Sequence, residues 1–335
     1  MGCPRMVGPV EEGSGEGETA GVFMRMSQDG AGGSPEWGVI RRVGHDGGQR
    51  IPEPWVVCRG YAGGGVRPEV SVFATSKALI GMVHVGALPG SPRGGRSPRE
   101  LARAAAEEAR VLAGAGFDGV IVENMHDAPY VHGEHGPEVV SAMTLAAEAV
   151  RSAAPGLVLG VQVLSGGARE ALAIAHAVGG AFVRVENFVF AHVADEGLLE
   201  RAEAGRLLRY RRSIGAEGIR VICDVKKKHA SHAITGDLSI GDVVEGAEFF
   251  GADGVIVTGS ATGKPAAEAD IIEARRSTKL PVWVGSGVTP DQLAKLWTHA
   301  DALIIGSWIK KDGLWRNAVD EARCREIMRA AGAVR

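Results

Sequence analysis

The sequence predicts an α/β fold, a (β/α)8 TIM barrel, and three observations predict it. Eight short apolar runs, most of them rich in Val and Ile, recur from Lys77 onward. Amphipathic stretches of ten or more residues separate them, so the chain reads strand–helix eight times over. The eight units fill about 255 residues, the usual size of such a barrel.

The apolar runs fall at 78–85, 119–123, 157–163, 182–186, 219–225, 254–258, 282–285 and 302–306. Nearly unbroken runs of this length suit parallel strands covered on both faces. The first helix places Leu101, Ala105, Ala109 and Leu112 on one face at spacings of four, four and three. Ser97-Pro98-Arg99-Glu100 opens it as a capping box with Pro at the first turn, and Thr289-Pro290-Asp291-Gln292 repeats the device. Helices end on Gly114 and Gly116, Gly179-Gly180 and Gly251, each just before the next strand. A doubly wound open sheet would usually carry fewer strands and a Gly-rich turn after its first strand. Gly114 to Gly119 (GAGFDG) matches GxGxxG but runs from helix to strand, the wrong order for a dinucleotide site. Thr258 to Pro265 (TGSATGKP) resembles a phosphate loop but lacks its first Gly and its Ser/Thr.

The N-terminal stretch reads differently. Residues 1–75 hold 17 of the 49 Gly and 6 of the 15 Pro, about twice the density of the remainder. We therefore expect a low-complexity, disordered extension over 1–76 and the barrel over 77–335. The start lacks the basic-then-apolar layout of a signal peptide, and Met6 stands where a myristoylation pattern wants Ser or Thr. A net charge of −3 argues against nucleic acid as a partner. The four cysteines are far apart, which argues against a disulfide framework or structural zinc and for a reducing, cytoplasmic setting. No apolar run is long enough for a transmembrane segment, which leaves only peripheral membrane association; a homo-oligomer is left open.

Active sites in this fold lie at the C-terminal ends of the strands. The polar residues there are His84, Glu123, Asn124, Asp127, Gln162, Arg184, Glu186, Asn187, Asp224, Lys226 and Thr258. Strand alternation puts Phe182, Arg184 and Glu186 on one face of their strand, and likewise Ile222, Asp224 and Lys226 on one face of theirs. Charges in such dry surroundings must pair, and Arg184 with Glu186 or Glu123, and Asp224 with Lys226, are the expected pairs. Glu123, Glu186, Asp224, Lys226 and His84 are the candidate catalytic groups; Asn124, Asp127, Gln162, Arg184, Asn187 and Thr258 are candidate substrate ligands. A purely structural role, ion pairs propping a barrel interior, is the alternative for each.

Gly285, Ser286 and Gly287 follow the seventh strand, and Gly306 and Ser307 the eighth, where many barrels bind phosphate on backbone N–H groups. A divalent ion held by His84, Glu123, Glu186 and Asp224 is left open as a cofactor. Lys226 or Lys228 could be a Schiff-base lysine if desolvated, although an anion clamp or ion pair is the commoner use.

At these residues the chain resembles the BtpA/SgcQ family, known for a role in photosystem I biogenesis. The resemblance rests on Gly81 to Pro92 (GMVHVGALPGSP), Val122 to Tyr130 (VENMHDAPY), Asp224 to His232 (DVKKKHASH), Gly251 to Gly263 (GADGVIVTGSATG) and Gly285 to Thr289 (GSGVT). It implies a ribulose-phosphate-binding type of barrel and, in a photosynthetic organism, peripheral thylakoid association. Two functions are then in play. One is an isomerase, aldolase/lyase or hydrolase acting on a small phosphorylated sugar- or nucleoside-like ligand. The other is a non-catalytic biogenesis or stability factor for photosystem I or another membrane complex.

Overall fold

The computed structural model describes residues 72–133 and 135–335, together with the backbone of 21–25 and 36–40. The chain divides into two compact units, 1–69 and 70–335. In the first, Gly21–Arg25 pairs antiparallel with Glu36–Ile40; the rest of the expected extension up to residue 71 lies outside the described residues.

The second unit is the barrel. Its strands are β1 (Ala78–His84), β2 (Gly119–Glu123), β3 (Val158–Gln162), β4 (Phe182–Val185), β5 (Arg220–Val225), β6 (Gly254–Thr258), β7 (Val282–Gly285) and β8 (Ala302–Ile305). All pair in parallel with their sequence neighbours, and the barrel closes where Leu303 of β8 pairs with Leu79 of β1. The helices between them are α1 (Pro98–Ala115), α2 (Pro137–Ala153), α3 (Ala168–Val178), α4 (Ala204–Ser213), α5 (Ile240–Phe249), α6 (Glu268–Arg276), α7 (Leu293–Leu296) and α8 (Glu321–Gly332).

Local chemistry sets the boundaries. The Ser97 backbone N–H donates to Glu100 Oε2 at 2.7 Å while Ser97 Oγ accepts from the Glu100 N–H, so the capping box that opens α1 is complete. Gly116 ends α1 and Gly179 ends α3 in the left-handed region that glycine adopts without strain. The GxGxxG match is thus a helix exit. The box at Thr289 forms too, but it starts only a 3-10 turn and the four-residue α7.

Two apolar layers result. One lies between sheet and helices. The other fills the barrel with Ile80, Met82, Ile121, Phe182, Ile222, Ile256, Trp283 and Ile304. Phe73, upstream of β1 and inside the span that composition assigns to the extension, packs within 5.6 Å of Trp283 and 6.2 Å of Phe182, centroid to centroid. A window of glycines and prolines masks a single aromatic plug. The Phe182 ring fits because β3 carries glycine opposite it: a Cβ on Gly160 would meet that ring at 2.2 Å. Gly160→Ala is expected to cost about 1–3 kcal/mol, the usual penalty for overpacking. An unchanged urea midpoint would count against this account of the interior.

Candidate active site

Five of the polar residues at the strand ends follow, two positions on, a residue of the barrel interior. Met82 precedes His84, Ile121 precedes Glu123, Phe182 precedes Arg184, Ile222 precedes Asp224 and Ile256 precedes Thr258. Alternation therefore aims these side chains up the barrel into its mouth. Glu123, Gln162, Arg184, Asp224 and Thr258 are all buried there.

The charges pair across strands, not along them. Arg184 on β4 grips Asp224 on β5 with a two-pronged fork, both N–H···O distances being 2.9 Å. Glu186 lies 3.5 Å from Lys227, and Glu123 lies 3.6 Å from His84 Nε2. The pairs expected from the sequence, Arg184 with Glu186 or Glu123 and Asp224 with Lys226, do not form. Adjacent strands are about 4.8 Å apart, closer than residues i and i+2 on one strand. Lys226 departs for a second reason. Its φ of +47° breaks the alternation after Val225, and its ammonium donates to the Leu238 carbonyl at 2.6 Å.

His84 and Glu123 form a buried couple. The His84 Nδ1–H donates to the Trp315 carbonyl at 2.9 Å, which leaves Nε2 as the acceptor facing Glu123. Burial, then the Lys310 charge, pushes the imidazole well below its ordinary pKa. Burial likewise raises the Glu123 carboxyl, against the pull of Arg184 and Lys228. An ion pair would suit the distance, but these surroundings favour a protonated carboxyl beside a neutral ring.

Other predicted residues brace the frame. Asn124 Oδ1 accepts from the Leu164 N–H at 2.8 Å, and Asp127 accepts from the Leu88 N–H at 3.0 Å, so together they lash three loops. Asn187 donates to the Arg201 carbonyl at 2.8 Å. By contrast, both amide atoms of Gln162 and the Thr258 hydroxyl are buried and without a hydrogen-bond partner among the described residues. Buried polar atoms of this kind are usually matched by water or ligand.

At β7 and β8 the Ser286 hydroxyl donates to the Ala261 carbonyl at 2.9 Å, so it fixes the loop after β6. Gly287 presses against that same loop at a φ of +63°, where a Cβ would stand 2.4 Å from the Pro265 nitrogen. Among the described residues the backbone N–H groups of Gly287, Gly306 and Ser307 have no hydrogen-bond acceptor.

A cavity of about 370 Å3 opens over Glu123, Gln162, Arg184, Glu186 and Lys228. A narrower space of about 30 Å3 shares Glu123, Arg184 and Lys228 with it and reaches Gly287, Gly306 and Ser307. Glu196 walls the cavity from a small antiparallel sheet that the apolar runs do not announce, built from His192–Ala194, Gly197–Leu199 and Ala230–Ser231. Trp315, from the long loop after β8, is a further wall that sequence reasoning missed; a rare aromatic in a long loop on the active face was the available signal. The donors do not make a metal site. Asp224 is taken by Arg184 and Glu186 by Lys227, and no cluster of three or more ligating side chains occurs among the described residues. No helix there is long and apolar enough to cross a membrane.

The BtpA family model matches residues 75–333. The chain is 43% identical over 260 residues to an uncharacterised mitochondrial protein of Caenorhabditis elegans, covering 76% of this chain and 93% of that one. It is 38% identical over 261 residues to the photosystem I biogenesis protein BtpA of Synechocystis, covering 77% and 89% respectively. Among solved structures, orotidine 5'-monophosphate decarboxylase from Methanocaldococcus jannaschii aligns with a TM-score of 0.49 at 10% identity, over 76% of this chain and 98% of that one.

Proposed function

The chain belongs to the BtpA family, and from that premise we propose that its barrel mouth binds a small phosphorylated ligand, sugar- or nucleoside-like, and performs acid–base chemistry on it. One observation carries the reading: the unpaired N–H groups of Gly287, Gly306 and Ser307 share a small space with the Glu123–His84 couple. Such N–H groups after the seventh and eighth strands are the usual phosphate donors of this fold. Glu123, whose carboxyl burial holds above its ordinary pKa, is the proton donor, and His84 Nε2 can take a proton back. Isomerisation, aldol cleavage and glycosidic hydrolysis all need protons given and taken at the reacting atoms.

The test is thermal shift with glycerol 3-phosphate, inorganic phosphate and plain glycerol. The two phosphates should raise Tm and glycerol should not, by the linkage of binding to stability. Ser307→Asp puts a carboxylate beside the phosphate and should weaken the effect at least about tenfold, a loss of roughly 1.4 kcal/mol of binding. Equal stabilisation of wild type and variant would sink the site.

The similarity to the Synechocystis protein favours a second reading, a non-catalytic biogenesis or stability factor for a membrane complex. On that reading no phosphorylated compound stabilises the protein and Ser307→Asp behaves as wild type.

A further inference from the structure

We propose that Lys228 is a nucleophile that forms an imine with its ligand, so that the substrates are phosphorylated aldehydes or ketones. The proposal rests on the phosphate reading of the β7 and β8 loops and goes beyond it by naming the reacting group.

Three consecutive lysines follow β5, and the fold treats each differently. Lys226 turns away to the Leu238 carbonyl. Lys227 is buried between Glu186 and Glu196, at 3.5 and 3.4 Å from their carboxyl oxygens. Lys228 alone of the three makes no hydrogen bond or ion pair among the described residues. It lines both the 370 Å3 cavity and the 30 Å3 space that reaches Gly287 and Ser307. Lys228 thus lines the same space as the N–H groups proposed to hold the ligand's phosphate.

The surrounding backbone holds this lysine in place. The Lys227 carbonyl bonds His232 Nε2 at 3.0 Å, and the His229 N–H donates to the Ser260 carbonyl at 3.3 Å. The His229 ring accepts from the Thr262 N–H at 3.0 Å. The chain on both sides of Lys228 is thus tied to neighbouring residues. Burial, then the neighbouring Arg184 charge, holds its pKa below the ordinary lysine value, while Glu123 and Asp224 pull the other way. A depressed pKa supplies the neutral amine that attack on a carbonyl needs.

The chemistry balances with groups already in the mouth. The Lys228 nitrogen lone pair forms the C–N bond, and the carbonyl π electrons move to oxygen, which takes the Glu123 carboxyl proton. A proton then passes from nitrogen to the new hydroxyl. The C–O bond breaks, water leaves, and the nitrogen lone pair closes the C=N bond. Neutral amine, carbonyl and carboxylic acid become iminium, carboxylate and water, with nothing oxidised or reduced. The iminium is an electron sink for removing a neighbouring proton or cleaving a neighbouring C–C bond, which favours isomerase or lyase chemistry over glycosidic hydrolysis.

The experiment is reductive trapping. Wild type, Lys228→Arg, Lys228→Met and Lys226→Arg are incubated with dihydroxyacetone phosphate or glyceraldehyde 3-phosphate and cyanoborohydride, then mapped by peptide mass. Circular dichroism checks that each variant is folded. The expected result is one adduct, the probe mass less one oxygen, on Lys228. It should form at least about tenfold faster at neutral pH than on any other lysine, as desolvation of the attacking amine favours. Glycerol 3-phosphate should protect it, the Lys226→Arg protein should keep it, and both Lys228 variants should lose it. If glycerol 3-phosphate stabilises the protein but neither probe labels Lys228, the imine is overturned and the phosphate reading stands, with Lys228 as an anion clamp. If glycerol 3-phosphate does not stabilise and Lys228 is unlabelled, both readings fall.

Discussion

Replacing Arg184 by Met should destabilise the barrel by about 3–5 kcal/mol, the cost of orphaning one partner of a buried ion pair. Arg184 and Asp224 are 6% and 5% exposed, and the guanidinium fork satisfies both carboxylate oxygens at 2.9 Å. Met fills much of the space of the Arg stem but leaves the carboxylate in a dry barrel, where it must either stay charged without a partner or take up a proton. At this chain length the Tm should fall by roughly 6–20 °C. The double variant Arg184→Met/Asp224→Leu separates this account from a simple packing defect. With both charges gone it should recover most of the loss, since apolar replacement of a whole buried pair is often neutral or better. Urea melts of the three proteins decide it. A cost under about 1 kcal/mol for the single variant would mean that the pair is solvated.

The same fork explains what could and could not be read from the sequence. Barrel count, element order and inward parity were legible because each depends on short-range regularities. Apolar runs mark strands, a period of two marks faces, and capping boxes and glycines mark helix ends. Thus His84, Glu123, Gln162, Arg184, Asp224 and Thr258 all point where alternation aims them. Partner choice was not legible. Whether Arg184 meets Glu186 on its own strand or Asp224 on the next depends on interstrand stagger, which a linear pattern does not carry. Nor was the exit from β5, where one residue at positive φ sends Lys226 outward and leaves Lys228 in the mouth. Asn124, Asp127 and the Ser286 hydroxyl sit at the right height but are spent on loop backbones, and Asn187 only by its Nδ2, its Oδ1 having no partner among the described residues. Residue type and position alone cannot separate a side chain that holds a loop from one that holds a ligand. The difference lies in whether its hydrogen-bonding capacity is used, as at Asn124, or left over, as at Gln162.

That division also orders the mouth energetically. The Arg184–Asp224 and Lys227–Glu186–Glu196 pairs neutralise most of the buried charge and make a stiff floor. What remains uncommitted among the described residues is a carboxyl biased toward its acid form, an imidazole biased toward its neutral form, an amine without a partner and a row of free N–H groups. Groups whose surroundings push their pKa values away from the ordinary are the usual marks of reactive chemistry. Structural and reactive roles thus sit on neighbouring residues of the same strands.

A buried acid away from this chemistry gives the second large expectation, that stability falls as pH rises through neutrality. Glu203 precedes α4 beside the start of α3, and its Oε2 is buried without a partner among the described residues. Burial, then the nearby Glu186 and Glu170 charges, raises its pKa to about 8, against a single bond from the Ala168 N–H. The sign follows from proton counting. Between about pH 4.5 and 8 the folded protein keeps this proton while the unfolded chain has released it, so folding is coupled to proton uptake. The stabilisation is full below the unfolded pKa and is lost as pH climbs toward the folded one, a few kcal/mol across the window at about 1.4 kcal/mol per unit. Glu203→Gln mimics the protonated form and has no proton to lose. Urea melts at pH 5, 6.5 and 8 should show wild type weakening steadily and the variant changing much less, so that the variant is the more stable protein at pH 8. Parallel pH profiles for the two would place the buried proton elsewhere.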